Sequence, residues 1–138
     1  MRAAAAWLAL VIALGGCANL RVEHALGCRR DEQPMIRDTL YFGRSIPGGG
    51  EVSDADWQRF ERDAIVPAFP QGFTVLDAHG SWRDAKGTIA SEANRVVVII
   101  HGDDAKSDAA VRQLLRSYRQ IFTQESVLRE RSKTCATF

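Results

Sequence analysis

The stretch NRVVVIIH, residues 94–101, constrains this chain more than any other. Its five successive β-branched residues, Val96 to Ile100, favour an extended backbone and leave no polar face. A strand apolar on both sides belongs in the interior of a sheet rather than at its edge. It therefore needs strands on either side and helices against it, and the rest of the sequence can be read for both.

Upstream, TLYFGR is a β-rich run beginning at Thr39, closed by SIPGGGE, whose proline and glycines make a turn. Ser53 then stands three residues before Asp56 in a weak capping box. Trp57, Phe60, Ala64 and Ile65 recur at helical spacing until Pro67 and Pro70. FTVLDAHGSW alternates as a half-buried strand does, and RDAKGT turns it toward the central strand. Beyond that strand, Val111, Leu114, Leu115, Tyr118, Ile121 and Phe122 form one helical stripe, which reads as core. The tail SVLRERSKT has strand length, with charges suited to a sheet edge.

The order β-α-β-β-α-β predicts an α+β fold, the ferredoxin-like split βαβ sandwich: a four-stranded, mainly antiparallel sheet with two helices on one face. Strands one and three are then central, two and four the edges. With Leu40, Phe42, Leu76 and Ala78 set toward the helices, the uncovered face carries Tyr41, Val75, Asp77, His79 and half of the apolar third strand. An exposed apolar band of that kind marks a contact surface, for a second copy or another envelope protein.

The N-terminus gives an address. After Arg2 comes AAAAWLALVIAL, the length of a signal-peptide core and too short to span a bilayer, followed by LGGC. This resembles the bacterial lipoprotein box, which implies cleavage after Gly16 and diacylglycerol on Cys17. Residues 1–16 are then the signal peptide, 17–37 a lipidated tether and 38–138 a single α+β domain, since 138 residues suffice for one core. Lipid on Cys17 makes the membrane the first partner. The location implied is the periplasmic side, at the outer membrane of a Gram-negative cell because Ala18 follows the cysteine. The formal net charge of +1 gives no case for nucleic acid.

With Cys17 assigned to lipid, Cys28 and Cys135 remain as a disulfide pair joining the two ends of the domain. Two thiols or an intermolecular bridge are the alternatives. No CxxC or paired histidine adjoins them to predict a metal site.

YFGRSIPGGGEVSDADWQRF, FPQGFTVLDAHGSWRD, VVVIIH and VLRERSKTC together resemble a family of short bacterial lipoproteins, domain of unknown function 3574, over about residues 38–135. The resemblance implies the fold and the location and supplies no reaction.

Residues 48–50 lie where a phosphate loop would, but no GK[ST] follows, and Glu51, Asp54 and Asp56 oppose an anion. The candidate chemistry lies in Asp77, His79 and His101, with Asp103 close by. A carboxylate beside two histidines can bind a metal or move a proton. That makes a small envelope hydrolase or metal-dependent enzyme the runner-up. The leading reading is a non-catalytic binding module without cofactor or metal, in which the histidines hydrogen-bond at the sheet and Asp103 or Asp104 caps the next helix. Tyr41, Arg44, Asp77, His79, Trp82, Arg83 and His101 are its candidate contact residues.

Overall fold

The computed structural model describes residues 27–83 and 86–138. Cys17 and the rest of the expected signal peptide and lipoprotein box lie outside the described residues.

Four strands, β1 (Gln33–Gly43), β2 (Thr74–Arg83), β3 (Ile89–His101) and β4 (Leu128–Ala136), form one antiparallel sheet in the order β2-β3-β1-β4. The apolar third strand is central and the charged fourth is an edge, as their polarity requires. Helix α1 (Asp54–Phe60) continues through a π-helical turn (Glu61–Ile65) into the short α2 (Val66–Ala68). Helix α3 (Ala105–Ile121) packs beside this unit on the same sheet face. The fold is the expected split βαβ sandwich.

Local chemistry sets these boundaries. Ser53 caps α1, its Oγ accepting from Asp56 N at 3.1 Å and donating to the Asp56 carboxylate at 2.6 Å. Pro67 does not end the helix but sits in its last turn. Because Pro67 has no N–H to donate, the α register slips there, and Val66 N reaches back five residues to Glu61 O. Asp104 caps α3, accepting from Ser107 N at 2.9 Å. That contact holds its carboxyl below the usual range. Gly48, Gly49 and Gly50 all take positive φ in the turn after β1, a conformation a side chain would oppose.

The core lies between sheet and helices. Phe42, Trp57, Phe60 and Tyr118 make tilted and edge-on ring contacts at 4.7–6.2 Å. Leu40, Val97, Ile99, Val111 and Leu114 surround them. Tyr118 donates its hydroxyl to Gly43 O at 2.8 Å, and burial raises its pKa.

Two expectations need correction. The first strand starts at Gln33 rather than near Thr39, so residues 33–37 belong to the sheet and not to a tether. They pair with β4 from Gln33↔Ala136 onward. The facing of β2 is also reversed: Val75 and Asp77 lie opposite Val97 and Arg95 on the helix side, whereas Leu76 and Ala78 lie opposite Val96 and Asn94 on the uncovered face.

Candidate functional site

Among the described residues, candidate side chains gather in a charged knot under the helices and on the uncovered face of the sheet.

The knot centres on Asp38, fully buried on the helix side of β1. Arg129 of β4 grips it bidentately, at 2.8 and 2.7 Å, and His101 Nε2 lies 2.8 Å from its Oδ2. His101 Nδ1 lies 2.7 Å from Gly102 O, and the ring packs against Phe69 at 5.8 Å. Arg129 also reaches Asp108 of α3 at 2.8 Å. Arg131 bonds both Asp108 and Asp103, at 3.1 and 3.0 Å, and Arg112 pairs with Asp108. Burial by itself would raise the Asp38 carboxyl, but the hydrogen bonds and charges of Arg129 and His101 outweigh it and hold the carboxyl below the ordinary range. The Arg129 hydrogen bond likewise lowers Asp108. With its buried carboxylate engaged on three sides, the knot ties β1, β3, β4 and α3 together.

The structure separates the proposed histidine set. His79 lies opposite Ala93, whereas His101 lies opposite Ile36, eight residues farther along β3, or about 26 Å at strand rise. Asp77 forms an ion pair with Arg95, on the helix side of the sheet. His79 is exposed on β2. Asp103 engages Arg131, and it is Asp104 that caps α3. Asp77, His79 and His101 therefore do not converge. Arg44 joins another ion-pair group with Glu51, Asp54 and Arg95 at 2.8–3.1 Å. Arg83 spans the β2–β3 turn, donating to Gly87 O at 2.6 Å.

Tyr41 and Trp82 do share the uncovered face. Leu76, Ile100 and Leu128 are on it too, 51%, 39% and 63% exposed, while Val96 at its centre is nearly buried between Tyr41 and Leu76. Tyr41 donates to Glu130 at 3.0 Å, which raises its pKa. Toward the β2–β3 turn the face deepens into a groove of about 660 Å³, lined by Tyr41, Ala78, Trp82, Glu92, Asn94 and Leu128 among others. That is the size range of small-ligand sites.

At the opposite end of the sheet, Cys28 and Cys135 form the expected disulfide, with Cα atoms 5.6 Å apart. Glu32 lies beside it, and ligand-type atoms of the three residues fall within 4.8 Å of one another. Neither sulfur is a thiolate in this state.

Asp38, Arg129, Asp108 and Glu32 escaped the sequence reading. Arg129 sits 91 residues from Asp38, with no local pattern linking them.

No helix among the described residues is long and apolar enough to cross a membrane. No curated protein matches the chain. Among solved structures, a phage SAM lyase in complex with S-methyl-5'-thioadenosine superposes with a TM-score of 0.60 at 15% identity, covering 75% of this chain and 90% of that one. A phage SAM lyase in the apo state gives 0.56 at 17% identity, covering 76% and 90%. CutA from Synechococcus elongatus PCC7942, complexed with Bis-Tris, gives 0.52 at 12%, covering 77% and 87%. At these identities the likeness is one of fold. The family model for a protein of unknown function, DUF3574, matches residues 37–138, nearly the whole described domain, and the chain belongs to that family.

Proposed function

We propose that this protein is a lipid-anchored, non-catalytic contact module of the cell envelope, held on the periplasmic side, whose uncovered sheet face engages another protein. The observation that carries the reading is the exposure of Leu76, Ile100, Leu128 and Trp82 on one continuous face around the sheltered Val96. An apolar and aromatic centre with a polar rim is the composition of a protein contact. The charges on and around the face, Arg37 and Lys86 against Glu92, Glu125 and Glu130, are mixed in sign and so select for no polyanion. The Cys28–Cys135 disulfide supports export, because such bonds persist in oxidising compartments. LGGC supports attachment through Cys17. The separation of His79 from His101 removes the geometric basis for the hydrolytic alternative.

Photo-crosslinking side chains placed at Leu76 and Leu128 of the membrane-held protein test the reading, with Gln120 on the solvent side of α3 as control. Discrete protein adducts from the sheet positions alone are expected. Equal, diffuse labelling from all three would discard it, and a covalent dimer would identify the partner as a second copy.

A further inference from the structure

The groove on the uncovered face has a charged floor. Across the sheet, Asn94 stands between Gly43 of β1 and Ala78 of β2, and one rank farther on Glu92 stands opposite Gly80. Tyr41 and Leu128 close the hollow at one end, and Trp82, opposite Ala90, at the other. Glu92 is half-buried, and its carboxylate folds back over Gly43, where an added methyl group would stand 2.7 Å from Oε1 and 2.9 Å from Oε2. Ser45 N donates to Oε2 at 3.0 Å, and among the described residues no cationic side chain pairs with this carboxylate. That sets it apart from the acids on the helix side of the sheet, where Asp38, Asp54, Asp77 and Asp108 each meet an arginine.

We propose that the groove binds a small organic cation, an ammonium carried on a flat apolar body, with Glu92 as its counter-charge and Trp82 as the platform for the body. Charge sets the sign of the ligand. Taking a carboxylate partly out of water without a partner is costly, and a cation seated beside it offsets that cost. Glu125 adds to the negative lining, and the two acids outweigh Lys86 in the β2–β3 turn, so an anion is disfavoured. A bare divalent ion lacks the oxygen shell it needs, since Glu92 belongs to no group of three metal-ligating side chains among the described residues.

Spacing sets the shape. Trp82 stands one rank beyond Glu92, about 7 Å along the strands, an interval that a ring with a short methylene arm to its ammonium spans. The indole face attracts both the ring and the cation. The Asn94 amide, beside Glu92 on the same floor, supplies an oxygen for a second ammonium proton. The groove, at about 660 Å³, has the volume of a small-molecule site rather than of a bare ion's cage. The site requires neither the lipid anchor nor a protein partner.

Phenethylamine, titrated by calorimetry into the full chain in non-ionic detergent against a detergent blank, is the probe, with hydrocinnamate as its anionic counterpart. One amine per chain is expected, with a Kd of about 1 mM or tighter, and no uptake of the anion. Glu92→Gln keeps an oxygen for Ser45 N and should weaken the amine about tenfold or more. Trp82→Ala should weaken it roughly fivefold. Gly43→Ala, which displaces the carboxylate, should also weaken it, with the circular dichroism of the parent retained. Glu130→Gln removes an acid that bonds Tyr41 but does not line the groove, and should leave affinity within about twofold. No saturable heat with the parent chain, equal uptake of hydrocinnamate, or unchanged affinity in Glu92→Gln or Trp82→Ala overturns the site. So does an equal loss in Glu92→Gln and Glu130→Gln, which would reduce the effect to diffuse surface charge. Loss of the sheet-face crosslinks with amine binding intact would discard the contact reading alone.

Discussion

Arg129 meets both oxygens of the fully buried Asp38, Nε to Oδ1 at 2.8 Å and Nη2 to Oδ2 at 2.7 Å. The two residues stand diagonally across the β1–β4 ladder, since Asp38 pairs directly with Arg131. A carboxylate in this position is tolerable only while its partners remain, because desolvating a charge costs several kcal/mol per ion.

Arg129→Ala is therefore expected to lower stability by about 3–5 kcal/mol, the cost of leaving a buried charge alone. Urea unfolding measures it. A loss under about 1 kcal/mol would reduce the pair to the value of a surface ion pair.

Acid should act through the same residue. The folded Asp38 carboxyl lies below its unfolded value. Its contribution is thus fully present above the unfolded pKa of about 3.9 and is lost as pH falls through the lower folded one. Unfolding midpoints followed from pH 7 downward should fall in that window, and the fall should be shallower in Asp38→Asn. Parallel curves for the two proteins would count against the assignment.

The two histidines should separate by stability. His101→Ala leaves a buried carboxylate short of one partner, at about 1–3 kcal/mol, whereas the exposed His79→Ala should stay within about 0.5 kcal/mol. Equal losses in thermal unfolding would contradict the placement of the two side chains.

Replacing Cys28 and Cys135 together by serine should cost roughly 4–5 kcal/mol, since the bond closes a loop with a sequence separation of 107. The comparison is the serine protein against the oxidised parent, at equal pH.

Cys17→Ser should eliminate fatty-acid label from the protein and release it from membranes. Undiminished label in the variant would remove the anchor from the proposed function.

The order of elements and the central place of β3 were legible because five β-branched residues in a row admit few other readings. The facing of β2 was not. Val75 and Leu76 are both apolar, so alternation alone leaves two solutions, and the choice is fixed by Asp77 meeting Arg95 across the hairpin. Asp38 looks like a surface residue until Arg129 arrives from the far end of the chain. The start of β1 was hidden for a related reason: Pro34 and Asp38 are poor strand formers, and pairing with β4 overrides that preference. The separation of the histidines, by contrast, was within reach. Reflecting His101 through the turn centred near residue 86 lands on Gln71, ahead of β2.

The disulfide lies where β1 begins and β4 finishes, and the groove lies at the other end of the same strands. From Gln33 to Gly43 that is about 33 Å. Under the proposed attachment, Cys17 is eleven residues from Cys28, a leash of at most about 40 Å. Tension on the leash would enter at the disulfide clamp and pass to both β1 and β4, rather than peeling β1 from the sheet. The domain would then be held by its clamp end, with the groove at the end of the sheet farthest along the strands from the point where the load enters.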